Sequence, residues 1–231
     1  MLYSFMNKRI DMKEHFSIAI DGPSSSGKST VAKAISEKLG ILHLNTGSMY
    51  RAVAYFFIKN NLDYNDEQVV ERHIDDIDIQ VKYENGAQAD YMNGEMVTPY
   101  LRENEVSVGA SVVSQFGRVR DKAVAIQRAV AENLSVIMEG RDITTVVLPD
   151  AEYKFFLTAS PEERTNRRYK ENMEKGIPTD YETLLKEVKE RDYRDTHREH
   201  SPLKQADDAV LVDSTNMKIQ EVIDFMLSYI K

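Results

Sequence analysis

The chain has 231 residues, no cysteine and a formal net charge of −8 at pH 7, and its pI is about 5.3. This length is enough for one domain with insertions, or for one domain and a smaller second one, around a full hydrophobic core. Without cysteine there is neither a disulfide framework nor a thiolate metal site. The acidic balance disfavours a surface that binds nucleic acid, although a local group of cations can still bind a small anionic ligand.

The N-terminal residues do not predict a signal peptide. Residues 1–14 are polar and mixed and lack the apolar centre of a signal peptide. The chain also has no run of about eighteen apolar residues, which a membrane span requires. We therefore expect an N-terminal extension over residues 1–15, with Met12 as an equally good start, and a cytoplasmic protein with no membrane partner.

The strongest motif follows the first predicted strand, an apolar run over residues 16–20. Residues 22–30 match the pattern G-x-x-x-x-G-K-[ST] of a phosphate-binding loop. A helical pattern of apolar residues follows over 31–39, and Gly40 ends it. Because strand, glycine loop and helix occur in the order that the motif requires, we prefer a phosphate site to a chance match in an ordinary turn.

Each residue type in this loop has a physical role. Glycine lets consecutive backbone N–H groups point to one position, and the start of the helix adds its positive dipole end. Lys28 supplies a mobile charge for the terminal phosphates, and Ser29 supplies a hydroxyl for Mg²⁺ bound with the nucleotide. The candidate residues for binding a nucleoside triphosphate are Gly22, Pro23, Ser24, Ser25, Ser26, Gly27, Lys28, Ser29 and Thr30.

The rest of the chain alternates strand patterns with helical patterns. Strands are predicted at 41–45, 135–138, 153–157 and 209–213, and helices at 49–59, 103–116, 118–134, 162–200 with a break at 176–178, and 216–229. Residues 63–73 are acidic and polar, and they indicate a loop with a helical turn. The alternation predicts an α/β fold, a parallel sheet of the phosphate-loop NTPase type with helices on both faces.

One region departs from this alternation. Between residues 76 and 98, apolar and polar residues alternate with a period of two. Asn85-Gly86 and Asn93-Gly94 interrupt the pattern, and both dipeptides are strong hairpin signals. We therefore predict a small antiparallel meander of three strands, inserted in the α/β core.

Polar residues follow the predicted parallel strands, at the sheet edge where ligands of such folds bind. Thr46 follows the second strand, and the segment 139–142 follows the next. Nine arginines stand after these strand ends, after the break at Gly117 or in the late helical segment: Arg51, Arg120, Arg141, Arg164, Arg167, Arg168, Arg191, Arg194 and Arg198. In an acidic protein they indicate a second phosphate group, since a guanidinium fork matches phosphate oxygens.

These arginines also have a purely structural interpretation. For Arg164 to Arg168 we favour a solvated helix face, because Glu162, Glu163 and Glu171 lie at pairing distance along the helix. For Arg141, at a strand end, we favour a functional role. The phosphate loop itself leaves open a kinase for a small acceptor, a regulatory module that binds ATP, and a nucleic-acid binder, which the charge disfavours. The absence of N-K-x-D and D-x-x-G motifs disfavours a GTPase switch.

Taken together, these stretches resemble the bacterial cytidylate kinase family, in its long form with an enlarged monophosphate-binding region. The resemblance runs from about residue 16 to the end and rests on 18–23 with the phosphate loop, 45–51, Ser111 with 118–120, 139–142, 189–198 and 213–215. It implies reversible transfer of the γ-phosphoryl group of ATP, with Mg²⁺, to CMP and dCMP. A monomer that binds no nucleic acid is expected.

The resemblance also implies a role for each matching residue. Thr46, Arg51, Arg141 and Arg198 would surround the monophosphate, Ser111, Arg120 and Asp142 would bind cytosine, and Arg191 and Asp195 would contact the ribose hydroxyls or the phosphates. The catalytic residues would be Lys28, Arg141, Arg191 and Arg198. Structural alternatives are a helix cap or a pair with Arg141 for Asp142, and pairing within one helix for Asp195.

The implied organisation follows the same resemblance. It comprises the extension (1–15), a core with the phosphate loop (16–62), the monophosphate-binding insert (63–117), a second core segment (118–160), a lid with the CMP-contacting helix (161–200) and a last core segment (201–231). Two positions depart from the family pattern. Thr144 stands where the family commonly has Gly, and a side chain there would alter how closely the backbone approaches a ligand. Glu139 stands where relatives can have Asp, so its reach toward Mg²⁺ differs.

Overall fold

The computed structural model describes residues 15–84, 86–132 and 134–230. The predicted N-terminal extension lies outside the described residues, apart from His15. The strands are β1 (Ser17–Asp21), β2 (Leu42–Asn45), β3 (Ile79–Glu84), β4 (Ala87–Met92), β5 (Glu95–Met96), β6 (Val136–Gly140), β7 (Tyr153–Thr158) and β8 (Val210–Asp213). The α-helices are α1 (Lys28–Leu39), α2 (Gly47–Lys59), α3 (Glu67–His73), α4 (Asn104–Val113), α5 (Gly117–Ala131), α6 (Pro161–Glu174), α7 (Tyr181–His197) and α8 (Ile219–Tyr229).

The predicted parallel sheet is confirmed. Five strands pair in the order β2-β6-β1-β7-β8, and every pairing is parallel. The central strand β1 is buried on both faces, because Ala19 belongs to one apolar core while Ile18 and Ile20 belong to the other. Helices α2, α4 and α5 contribute to the first core, and α1 and α8 contribute to the second. An α/β fold with both faces covered follows, as the buried strand patterns predict.

The inserted meander is also confirmed. Strands β3, β4 and β5 form a separate antiparallel sheet. Asn93 and Gly94 both have positive φ, 50° and 81°, which is the backbone of a tight hairpin turn. The first predicted turn includes Asn85, which lies outside the described residues. The meander packs against α2 and β2, so it lies beside the edge strand β2 of the parallel sheet.

Two local elements differ from the sequence prediction. Residues 67–73 form a helix rather than a loop with a helical turn, because the Asp66 carboxylate accepts hydrogen bonds from the N–H groups of Gln68 and Val69. A π-helical turn, Ile143–Val147, follows β6 where no element was predicted. Since π-helical turns are rare and often stand at functional sites, the second difference bears on the site itself.

The helical segment after β7 is confirmed with its break. Ser160 caps α6 by accepting a hydrogen bond from Glu163 N, and Pro161 occupies the first turn. Gly176 has φ +68° and separates α6 from α7, and the two helices then pack together. In the part of the chain that the structure describes, no helix combines the length and apolarity that a membrane crossing needs.

Candidate active site

The phosphate loop connects the carboxyl end of β1 to the start of α1. Gly22 has φ +150°, and a Cβ there would lie 1.9 Å from Leu157 O, so only glycine fits. The Lys28 ammonium folds back into the loop and donates to Pro23 O at 2.7 Å. Burial, together with the charge of Arg141, lowers the pKa of Lys28 well below its usual value. The Lys28 side chain thus closes the loop on itself through the carbonyl of Pro23.

Two arginines of α6 brace this loop from outside. Arg164 Nη1 donates to Ser24 O at 3.1 Å and to Asp192 Oδ1 at 3.0 Å. Arg167 Nη1 donates to Ser26 O at 3.2 Å. Arg164 is only 2% exposed, so its interpretation as part of a solvated helix face was wrong. The charge pattern pointed to partners on the same helix, whereas Arg164 pairs with Asp192 on the neighbouring helix α7.

An acidic side chain from β6 reaches the first turn of α1. Glu139 Oε2 accepts a hydrogen bond from Ser29 Oγ at 2.9 Å, and Glu139 Oε1 lies 3.0 Å from His43 Nε2. Burial alone would raise the pKa of Glu139, but the hydrogen bond to His43 and the charge of Lys28 outweigh it and hold the pKa below its usual value. An ionised carboxylate therefore stands next to the loop hydroxyl.

A cavity opens beside the phosphate loop, between the parallel sheet, α2, α4, α5 and α7. Every predicted CMP-binding residue lines it: Thr46, Arg51, Ser111, Arg120, Arg141, Asp142, Arg191, Asp195 and Arg198. Four phosphate-loop residues also line it, Ser24, Ser25, Lys28 and Ser29. The other loop residues predicted to bind phosphate do not: Gly22, Pro23, Ser26, Gly27 and Thr30. The fold thus brings residues between Ser24 and Arg198 to one place, as expected for ligands that bind at the carboxyl ends of parallel strands.

Two ion-pair groups organise the cavity wall. Asp142 pairs with Arg120 and lies 3.7 Å from Arg198 Nη2. Asp195 accepts a hydrogen bond from Arg141 Nε at 2.8 Å. Asp142 therefore does not pair with Arg141, and Asp195 bonds across elements rather than only along its own helix. The first outcome disagrees with the pairing considered for Asp142, while the charge of Arg191 on the same helix still acts on Asp195.

The electrostatics of the cavity are dominated by crowded cations. Burial and the charge of Arg141 lower the pKa of Arg191 to about 9, and the same two causes lower the pKa of Arg51. Burial alone would raise the pKa of Asp195, but Arg141 and Arg191 outweigh it and lower that pKa. A site in which guanidinium groups disfavour one another's charge gains most from an anionic ligand.

Several buried polar atoms around the cavity make no hydrogen bond to any residue that the structure describes. Five cavity residues carry a buried polar atom without a hydrogen-bond partner among the described residues: Tyr50 Oη, Ser111 Oγ, Arg120 Nε, Arg191 Nε and Arg198 Nη2. Buried polar atoms are normally paired, because an unpaired one costs about 1–3 kcal/mol. Tyr50 lies in the stretch 45–51 that carries the resemblance, but the sequence analysis gave it no role. Its position directly before Arg51 was the available signal.

The departure at position 144 has a structural explanation. Thr144 Oγ1 donates to Asp21 Oδ2 at 2.6 Å, and Thr144 N donates to the same oxygen at 2.7 Å. Ile143 N donates to Asp21 Oδ1 at 2.8 Å. The side chain of Thr144 therefore faces β1 and is absent from the cavity lining. The expectation that it would alter the approach of the backbone to a ligand finds no support in this arrangement.

Comparison with known proteins agrees with this geometry. A family model described as cytidylate kinase matches residues 18–231. The chain is 50% identical over 210 residues to a cytidylate kinase of Streptococcus uberis, which covers 90% of this chain and 93% of that protein. A cytidylate kinase of Streptococcus pneumoniae is 50% identical over 208 residues, with the same coverage of 90% and 93%. A solved structure of an uncharacterized protein from Eubacterium ventriosum shares the fold alone, with a TM-score of 0.50 and 14% identity over 94% of this chain and 98% of that one. On the family model and these relatives, the chain belongs to the cytidylate kinase family.

Proposed function

We propose that the chain transfers the γ-phosphoryl group of ATP to CMP, giving ADP and CDP. The observation that carries this proposal is the convergence of two anion sites on one cavity. Lys28 and Ser29 of the phosphate loop line it from one side, and Arg120, Arg191 and Arg198 line it from the other. Each of these three arginines has a buried nitrogen without a hydrogen-bond partner among the described residues. Family membership agrees with an enzyme that phosphorylates CMP.

The chemistry requires charge neutralisation rather than a protein base. A phosphate oxygen of CMP, already ionised near neutral pH, forms the new bond to the γ-phosphorus. The bond from that phosphorus to the bridging oxygen breaks, and ADP leaves with the electron pair. Arg141 stands between the two sides, since it lines the cavity and its charge acts on Lys28. We infer that Arg141 neutralises the charge of the phosphoryl group in transfer, and that Arg191 and Arg198 bind the acceptor phosphate.

The residues beside the loop fit a magnesium nucleotide. Among the described residues no group of three or more His, Cys, Asp or Glu side chains could hold a metal ion alone. Ser29 and Glu139 offer the oxygen donors that Mg²⁺ prefers, and nucleotide phosphates would supply the remaining ligands. When bound, Mg²⁺ neutralises charge on the phosphates. The buried, ionised carboxylate next to the Ser29 hydroxyl supports this assignment.

Cytosine recognition follows from donor and acceptor types. The Asp142 carboxylate can accept from the cytosine amine, while Arg120 and Ser111 can donate to the ring nitrogen and the carbonyl. Uracil exchanges the first of these groups for a carbonyl oxygen, which would face the Asp142 carboxylate unpaired. A site of this kind rejects the wrong base because buried polar atoms lose their partners.

The proposal also covers a second acceptor, the oligomeric state, the location and the domain organisation of the chain. We include dCMP as a second acceptor, and we expect a monomer in the cytoplasm with no nucleic-acid partner, on the support of the net charge of −8 and the absence of cysteine. The lid over ATP is assigned to residues 161–200 and the monophosphate-binding insert to 63–117. The contacts of Arg164 and Arg167 with the phosphate loop support the first assignment.

The test is an acceptor panel with purified protein and MgATP. ADP release would be measured with CMP, dCMP, UMP, dTMP and AMP at equal concentrations. We expect fast release with CMP and dCMP and slow release with dTMP and AMP. Equal rates with all five acceptors would contradict cytosine recognition, and tight ATP binding without acceptor-dependent release would favour a regulatory module.

A further inference from the structure

The carboxylate of Glu139 is held at both oxygens by two different elements. Oε2 accepts from Ser29 Oγ at 2.9 Å, and Oε1 lies 3.0 Å from His43 Nε2. The Glu139 side chain is 5% exposed and the His43 side chain 19% exposed. His43 belongs to no motif that the sequence analysis selected, and it does not line the cavity.

The register of the sheet places His43 in reach of Glu139. Asn45 on β2 pairs with Glu139 on β6, and His43 lies two residues earlier on the same face of β2. From that face Asn45 Nδ2 donates to Ser29 Oγ at 3.4 Å. Strand β2 therefore contacts both the hydroxyl and the carboxylate, and Tyr83 Oη of the meander donates to the carbonyl of His43.

The second hydrogen bond matters because glutamate is flexible. A glutamate held at one oxygen can still rotate about its last bond, and fixing a long side chain costs rotamer entropy. Groups that bind the outer oxygen of a metal-binding carboxylate orient it, and their loss typically reduces metal affinity or activity 10- to 100-fold. Since an ionised carboxylate only accepts, His43 Nε2 carries the proton in this pair.

We propose that His43 is a positioning residue that keeps Glu139 directed at the Ser29 hydroxyl, where the magnesium nucleotide is held. This inference rests on the proposed function, because it takes the phosphate loop as the site of MgATP. It assigns His43 no contact with either substrate. We call the part of the cavity formed by the phosphate loop the donor side, because it would bind MgATP, and the part formed by the predicted CMP-binding residues the acceptor side. The effect of His43 is confined to the donor side, so its loss does not alter the acceptor side.

The test compares two substitutions at His43. His43→Leu fills the space and removes the donor, and His43→Gln places an amide N–H near the position of Nε2. We expect His43→Leu to raise the KM for MgATP and the Mg²⁺ concentration for half-maximal activity about 10-fold. The KM for CMP should stay within twofold, and His43→Gln should restore most of the loss. His73→Leu is the matched control, since it removes another His–carboxylate pair of 3.0 Å away from the site.

A binding measurement separates this inference from the proposed function. Calorimetric titration with ATP, with and without Mg²⁺, gives the gain in affinity that the metal provides. In His43→Leu this gain should shrink about 10-fold, while the affinity for ATP without Mg²⁺ is retained. An unchanged gain, or an equal loss in His43→Gln, would overturn the role of His43 while CMP phosphorylation by the native chain still stands. No CMP-dependent ADP release by the native chain would overturn both.

A double-mutant cycle sharpens the result. Glu139→Asp shortens the side chain by one methylene, which withdraws the carboxylate from His43. If His43 acts through Glu139, adding His43→Leu to Glu139→Asp should change the Mg²⁺ dependence less than twofold. Additive effects of the two substitutions would show that His43 acts independently of Glu139 and would contradict the proposal.

Discussion

The donor side and the acceptor side of the cavity satisfy their cations in different ways. On the donor side the protein itself supplies the partners. Lys28 donates to the carbonyl of Pro23, and Arg164 and Arg167 donate to carbonyls of the phosphate loop at 3.1 and 3.2 Å. On the acceptor side Arg120, Arg191 and Arg198 each keep a buried nitrogen with no hydrogen-bond partner among residues 15–84, 86–132 and 134–230.

This difference indicates that the phosphate loop provides a preformed shape, whereas the acceptor side provides selectivity. A loop whose polar groups are already paired keeps its conformation before the nucleotide arrives, so it favours any triphosphate of the right geometry. Buried donors without partners gain hydrogen bonds only from a ligand that matches them, and a poorly matched ligand leaves them unpaired. We therefore expect selectivity to reside on the acceptor side and substitutions on the two sides to affect different kinetic constants.

The largest effect is expected at Arg141, where the two sides meet. Arg141→Ala removes a guanidinium from the lining of the cavity and leaves Asp195 without the hydrogen bond from Arg141 Nε. We expect a loss on the order of 3 kcal/mol in transition-state stabilisation, or about 100-fold in kcat. Steady-state kinetics with MgATP and CMP measure it. Arg194→Ala, an exposed arginine of α7, is the control, and a native rate in Arg141→Ala would remove Arg141 from the site.

The next effect concerns selectivity alone. Asp142→Asn replaces a carboxylate oxygen by an amide that can donate to uracil, and it leaves Arg120 without its anionic partner. Since a hydrogen bond to a charged group contributes about 1.5–3 kcal/mol, the ratio of kcat/KM for CMP over UMP should fall about 10- to 100-fold. The KM for ATP should change little. Asp208→Asn, on the surface beside Lys154, should leave the ratio unaltered, and an unaltered ratio in Asp142→Asn would contradict base recognition by Asp142.

The sequence predicted those parts of the site that depend on local pattern. The phosphate loop, the strand before it and the segment 139–142 after β6 follow from periodicity and from the rule that ligands meet the carboxyl ends of parallel strands. The choice of partners did not follow from pattern. Arg141 and Asp195 are 54 residues apart, so only the packed fold decides that they pair.

Burial of charge was the other feature that the sequence did not predict. Arg164 stands in a run of charged residues, and such a run is typical of a solvated helix. Its Asp192 partner lies 28 residues away on α7, which local spacing could not identify. The cap of α3 was different, because Asp66 directly before a helical stretch is a recognised start signal. That helix was predictable from the residues, whereas the buried ion pair was not.

A smaller effect is expected on the donor side. Arg167→Met removes the guanidinium that braces the loop through Ser26 O and Ser214 O, at 3.2 and 2.8 Å. The loop would then lose part of its preformed shape, and the KM for MgATP should rise about 10-fold, which corresponds to about 1.4 kcal/mol. The KM for CMP should stay within twofold, in contrast to Asp142→Asn. Lys170→Met on the exposed part of α6 is the control. An equal rise in both KM values would show that the two sides are not separable.

The smallest effect is expected at Thr144, behind the acceptor wall. Thr144→Val keeps the volume but removes the hydroxyl that donates to Asp21 Oδ2, at a cost of about 1 kcal/mol in the free energy of unfolding. Burial raises the pKa of Asp21, and the Thr144 hydrogen bonds lower it. A hydrogen bond that lowers the pKa stabilises the ionised form, so the Thr144 hydroxyl contributes most once Asp21 is ionised. The loss in the free energy of unfolding should therefore grow as pH rises through the folded-state pKa of Asp21.

Urea unfolding of Thr144→Val at a series of pH values, from about pH 4, the ordinary pKa range of an aspartate, upward, measures this trend. Thr165→Val, whose hydroxyl donates to the uncharged Pro161 O, should show a loss that does not change with pH, and a pH-independent loss in Thr144→Val would mean that Asp21 does not titrate in this range.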